Sequence, residues 1–243
     1  MTGEAPMTHD TPAGWGLRPG RPAGRQTTGE QHIDALVSAL TVLDTRLLDD
    51  WGQRLARTLS RGGRLLVAGN GGSAAQAQHL AAEFTGRFGA ERGAYSALAL
   101  HAESSTVTAI ANDYGFEEVF ARQVRAHGRP GDVLLLMSTS GRSRNLLRAA
   151  AAARAGGIAA WCLTGPAPNP LADACDQAVC VYPAGARALA LTATVQEAHQ
   201  VALHLICLSF DATVLQADAA ARGQAEPGTA GVTLSRTVVP WTG

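Results

Sequence analysis

Arg64-Leu65-Leu66-Val67-Ala68-Gly69-Asn70-Gly71-Gly72-Ser73 joins an unbroken apolar run to a glycine-rich turn and a hydroxyl that can cap a helix. A short run that is apolar on both faces reads as a strand covered on both sides, the condition of a parallel sheet. The glycines allow close approach of the backbone to a ligand, and Ser73 can cap the helix that follows. Further runs of this kind span 95–100, 132–137, 158–163 and 177–182, the last three followed directly by Ser, Thr and Pro. With 64–68 they predict five strands. Helical patterns fill 73–87, 116–126 and 143–155, and a last long one covers 192–215. The alternation predicts an α/β domain whose core is a doubly wound, five-stranded parallel sheet flanked by helices.

Upstream, the apolar residues of 31–59 recur at three- and four-residue steps, from Ile33 and Leu36 to Leu55 and Leu59. This predicts one long amphipathic helix or two shorter ones. A single helix of ~29 residues would be ~43 Å long, more than a small domain covers alone, so part of its stripe is expected to pack on another subunit. Residues 1–28 and 223–243 are rich in Gly, Pro and Thr without periodicity and read as flexible tails around one domain at 29–222.

Composition narrows the function. The 243 residues carry equal numbers of acidic and basic groups, and all the basic ones are Arg. Scattered charge argues against nucleic acid as a ligand. The lack of Lys excludes a lysine Schiff base and a phosphate-loop lysine. No apolar run approaches the ~20 residues of a membrane span, and the first 20 residues resemble neither a secretory signal nor a transit peptide, so the expected location is the cytosol. The four cysteines form no metal-binding spacing and read as reduced thiols.

In doubly wound sheets ligands bind beyond the carboxyl ends of the strands. Two loops there are rich in anion-binding groups: Gly69-Asn70-Gly71-Gly72-Ser73, and Ser138-Thr139-Ser140-Gly141-Arg142-Ser143. Each alone is also ordinary capping chemistry; as a pair on one sheet they suit a phosphate monoester. The first lacks the spacing of a dinucleotide fingerprint. His79 and Glu83 stand four apart on the helix after the first loop, so both side chains leave one face.

Across roughly residues 30–215 the sequence resembles the phosphoheptose isomerases, a branch of the sugar-isomerase (SIS) domain family. The resemblance rests on the first loop through His79, on Glu83-Phe84-Thr85-Gly86-Arg87, Asn112-Asp113-Tyr114-Gly115, Ser138-Thr139-Ser140-Gly141, Leu163-Thr164-Gly165 and Gln196-Glu197-Ala198-His199. It implies one SIS domain and an enzyme that converts sedoheptulose 7-phosphate to D-glycero-D-manno-heptose 7-phosphate through an enediol(ate). It also implies a homotetramer with sites near subunit interfaces, serving heptose nucleotide synthesis.

Residue by residue, the resemblance makes Glu83 the base and His204 the acid, with Asn70, Gly71, Gly72, Ser73, Asn112, Asp113, Ser138, Thr139, Ser140, Ser143 and Gln196 around the sugar phosphate. His79, Glu83, Gln196 and His204 match residues that hold a divalent ion, typically zinc. One spacing resists this set. Gln196 and His204 are eight residues apart, ~12 Å along an uninterrupted helix, so either the helix is irregular or a neighbouring subunit lends a group. His199 and His101 fall outside the catalytic set. Two departures bear on the substrate: Ala193-Thr194 stand where the family commonly has Asp-Arg or Ala-Arg, and the loop Gly165-Pro166-Ala167-Pro168-Asn169-Pro170 is unusually rich in proline. The competing class is a non-catalytic SIS protein that binds the replication initiator. Such relatives lack the glutamate at the position of Glu83, so its presence favours an enzyme. A third reading is an isomerase or binder of another sugar phosphate.

Overall fold

The computed structural model describes residues 27–184 and 188–224. The stretches read as tails lie outside the described residues, apart from their inner ends at 27–28 and 223–224. The segment 31–59 forms two helices, α1 (Thr28–Thr41) and α2 (Thr45–Ser60). The chain breaks between them because Asp44 starts a new helix, its carboxylate accepting from the Leu47 N–H at 3.0 Å. α2 buries Leu48, Trp51, Leu55 and Leu59. α1 buries only Ala35 and Ala39 and leaves Ile33 and Val37 exposed.

The strands are β1 (Leu65–Gly69), β2 (Ala97–Ala99), β3 (Val133–Ser138), β4 (Ala159–Thr164) and β5 (Gln177–Cys180). They form one parallel sheet in the order β2-β1-β3-β4-β5. β2 is shorter than the expected 95–100 because it is an edge strand, paired only with β1. Alternate residues serve opposite layers. Leu65, Val67, Val133, Leu135, Trp161 and Leu163 join the core with α1, α2, α3 (Gly72–Thr85) and α8 (Ala188–Gln224). Leu66, Ala68, Leu134, Leu136, Ala160 and Cys162 face α4 (Ser104–Tyr114), α5 (Val119–His127), α6 (Arg144–Ala155) and α7 (Pro170–Ala174). Trp51 and Trp161 stack across the first core, ring centres 4.8 Å apart. The four cysteines are all free thiols.

Two helices escaped the sequence reading. α4 carries Thr, Val and Ile, weak helix formers, and is started by Glu103, whose side chain accepts from Ser105 and Thr106. α7 is one short turn inside the proline-rich loop, with Asn169 as its cap and Pro170 in its first turn. Residues 116–118 form a 3₁₀ turn ahead of α5. α8 runs 37 residues without a break, longer than the expected 192–215. Its length and apolar composition would suffice to cross a bilayer, yet its Val195, Ala198, Ala202, Leu203, Ile206 and Phe210 are core residues.

The end of α3 is locked to α8 by Arg92, whose side chain is 1 % exposed. Its Nε donates to Asp211 at 2.7 Å, and its other nitrogens donate to the carbonyls of Glu83, Phe84, Gly86 and Gly93. These are carbonyls at the end of α3 and in the loop that follows, and the Phe84 carbonyl also accepts from the Tyr95 N–H at 3.1 Å. Its guanidinium also lies over the rings of Tyr95 and Phe210. Arg92→Met would leave Asp211 buried without its cation, and we expect a loss of about 3–5 kcal/mol in urea unfolding.

Candidate active site

The strand order reverses between β1 and β3, which lie side by side in register from Leu65↔Val133 to Gly69↔Met137. Both glycine- and serine-rich loops therefore emerge at one point of the sheet's carboxyl edge, the crevice where ligands of such folds bind. In the first loop Gly71 holds φ +54°, a conformation that favours glycine. Gly71, not Ser73, is the cap residue of α3, and Ser73 is buried inside the first turn. Asn70 exchanges two amide hydrogen bonds of 3.0 and 2.9 Å with Asn145 of α6. That pair ties the first loop to the helix beginning at the second. In the second loop the buried Ser138 hydroxyl accepts from the Gly141 N–H at 3.1 Å and lies 3.4 Å from the Ser143 hydroxyl. Thr139 is half-buried and Ser140 exposed.

Among the described residues, four helices start on a side-chain cap and three do not: α3, α6 and α5, the last of which continues directly from the 3₁₀ turn at 116–118. α1, α2, α4 and α7 each start with a side chain bonded to their first N–H groups. α3 and α6 have no such bond. A helix start left without a side-chain acceptor, at a loop of glycines and hydroxyls, is suited to an anion.

The helix from the first loop carries His79 and Glu83, and α8 crosses it with His204. His79 Nε2 lies 3.2 Å from Glu83 Oε1 and 3.0 Å from His204 Nε2. One ligand atom from each of the three falls within 4.8 Å of the others, so His79, Glu83 and His204 form a group that can hold a metal ion. Glu83 is 18 % exposed and His79 42 %, so the group opens to solvent on one side. Phe88 stands against the His204 ring at 5.4 Å and gives it an apolar wall.

The other anticipated residues are placed differently. Gln196 lies against the first loop: a Cβ on Gly72 would stand 2.5 Å from its Nε2. α8 is uninterrupted, so Gln196 stays two turns from His204. Asn112 and Asp113 are exposed at the end of α4 and bond to each other at 2.8 Å. Asn145 and Gln200 belong to the site region although the sequence reading passed over them. Gln200 stands 3.0 Å from His204, and its i, i+4 spacing from both Gln196 and His204 was the signal available.

The SIS domain family matches residues 30–165. The chain is 57 % identical over 193 residues to a phosphoheptose isomerase of Streptomyces coelicolor, covering 79 % of this chain and 81 % of that one. A phosphoheptose isomerase of Roseiflexus is 46 % identical over 68 % of this chain and 80 % of its own. Among solved structures, phosphoheptose isomerases of Neisseria gonorrhoeae and Francisella tularensis align with TM-scores of 0.64 and 0.67. Their identities are 38 % and 31 %, over 75 % and 76 % of this chain and 94 % of each of theirs. Fold and site thus define an SIS-domain protein. Within that class, the chain belongs to the phosphoheptose isomerase family.

His199, beside the site on α8, is fully buried, and that burial, offset in part by the Thr164 backbone, pushes its imidazole down to about 4. An unfolded histidine titrates near 6.5, so between these values the unfolded chain binds more protons. Stability is therefore expected to be full above about pH 6.5 and to fall as pH drops toward 4, by ~3 kcal/mol for this group. Chemical denaturation across that range checks it, and His199→Leu should flatten the dependence.

Proposed function

We propose that this chain is a cytosolic phosphoheptose isomerase that converts sedoheptulose 7-phosphate to D-glycero-D-manno-heptose 7-phosphate, for heptose nucleotide synthesis. The observation that carries the reading is the meeting of His79, Glu83 and His204 within 4.8 Å, next to two helix starts left free of side-chain caps. The phosphate lies against those two loops, held by the N–H groups of Gly71, Gly72 and Ser73 and by the hydroxyls of Ser138, Thr139, Ser140 and Ser143. Gln196 borders the first loop, and Asn112 and Asp113 reach the sugar from the end of α4.

The chemistry moves a carbonyl from C2 to C1. Glu83 removes a proton from C1 of the ketose, and the electron pair forms the C1–C2 double bond as the C2 oxygen takes a proton from His204. The protonated Glu83 then returns its proton to C2. The C1 hydroxyl loses its proton to His204, leaving an aldehyde at C1. A Zn²⁺ held by His79, Glu83 and His204 would polarise the carbonyl and stabilise the enediolate oxygens. Arg92 fixes the Glu83 backbone through its 2.8 Å bond to the Glu83 carbonyl, so the carboxylate has a defined origin. The exposed Ile33 and Val37 of α1, with Val201 and Leu208 of α8, support a homotetramer in which these faces are covered by other subunits.

Purified protein incubated with sedoheptulose 7-phosphate should form the aldose by NMR, and Glu83→Gln should lower the rate by roughly 10²–10⁴-fold. Chelation should lower it too, with recovery on added zinc. A wild type inert with and without zinc would sink the reading. Light scattering should give a mass four times that of the 25.1-kDa chain; a monomer mass would refute the assembly.

A further inference from the structure

The loops that enter β1 and β3 lie at the amino end of the sheet, a full strand length, roughly 16 Å, from the crevice at the carboxyl end. Between them opens a cavity of about 540 Å³ lined by Arg54, Arg57, Arg61, Arg64 and Arg129, with Asp132. Arg54 and Arg57 lie on α2, Arg61 is its C-cap and Arg64 leads into β1; Arg129 comes from the loop before β3. A chain without net charge thus places five of its 20 basic residues around one concavity.

Asp132 does not neutralise them. Its carboxylate accepts from the backbone N–H groups of Arg64 at 2.8 Å and Arg129 at 2.9 Å, which holds the two loops together. The surroundings fix two of the guanidiniums through Nη1. Arg64 donates to the His127 carbonyl at 2.7 Å, and Arg129 to the carbonyls of Ala126 and Gly128 at 3.0 and 2.8 Å. Arg54 is held over the ring of the buried Trp161, its Cζ 5.4 Å from the ring centre. Among the described residues, the side chains of Arg57 and Arg61 have no hydrogen bond or ion pair.

Cations at the end of a helix serve its dipole, and Arg57 in the last turn of α2 and Arg61 at its C-cap fit that role. It does not account for Arg54, which stands well inside the helix, or for Arg64 and Arg129. Nor does it account for five like charges around a single cavity, which repel one another unless an anion lies among them. From Arg54 to Arg61 the helix rises ~10 Å, farther than one phosphate group spans but within reach of two or three joined in a chain. Guanidinium forks match phosphate oxygens in pairs.

We propose that this cavity binds a polyphosphate chain, either free or carried by a nucleoside. The site is separate from the crevice and does not depend on the isomerase reading.

Calorimetric titration of the full-length protein tests it, at ~0.15 M salt so that loosely held surface charge is screened. The probes are tripolyphosphate, ATP and orthophosphate. Tripolyphosphate should bind, and Arg57→Gln combined with Arg61→Gln should weaken it at least ~10-fold. Arg129→Gln should weaken it as well, whereas Ser138→Ala, at the other end of the sheet, should leave it unchanged. Orthophosphate should compete at least ~10-fold less well, because it reaches only part of the row. Tighter binding of ATP than of tripolyphosphate identifies a nucleotide as the ligand; equal or weaker binding identifies the free chain. Thermal unfolding checks that the variants fold, and Arg61→Glu alone serves if the double variant does not. The proposal is overturned by the absence of heat with both tripolyphosphate and ATP, by binding that survives the arginine changes or is lost in Ser138→Ala, or by equal competition from orthophosphate.

Discussion

The adjacency of β1 and β3 is the constraint on which the rest of the molecule depends. Parallel strands need crossovers, and the chain leaves β1 through α3 on one face of the sheet and β3 through α6 on the other. Because the two strands are hydrogen-bonded neighbours, the loops at their ends open into one crevice although about 65 residues separate them in sequence. The reciprocal amide pair between Asn70 and Asn145 holds the loops in this relation. Neither helix start spends its N–H groups on a side-chain cap, in contrast to four other helices of the chain.

The group of His79, Glu83 and His204 depends on a second relation, the crossing of α3 and α8. α3 positions His79 and Glu83 by its own periodicity, and α8 sets His204 against them. Arg92 makes that crossing rigid. Buried between the helices, it gathers the carbonyls at the end of α3 and pairs with Asp211, seven residues beyond His204. A charge this deeply buried is tolerated only because its donors are satisfied. The 37-residue α8 thus connects the sheet's core, the first loop through Gln196 and the His79–Glu83 pair through His204.

Much of this was legible beforehand. The five strands, the two loops and the helical spacing of His79 and Glu83 are local patterns, and local patterns survive folding when each apolar run can be covered on both faces. α4 was missed because its Thr- and Val-rich sequence has weak intrinsic helix preference and is held by a glutamate cap. β2 was read too long because the apolar run at its ends is shared with turns at an edge where only one neighbour is available. Ser73 was read as a cap, whereas the cap falls two residues earlier, at Gly71 with its positive φ.

From the residues alone came the class of fold, the carboxyl-edge location of the site and the chemistry its side chains offer, because strand runs, glycine turns and i, i+4 pairs are fixed within a few residues of chain. Which distant groups meet was decided by tertiary structure. The sequence reading placed Gln196 with His79, Glu83 and His204, eight residues before the last of them. The crossing of a straight α8 over α3 brings His204 to His79 and sets Gln196 against Gly72. A side chain's partner is set by where two helices cross, and that crossing is fixed by packing across the whole core.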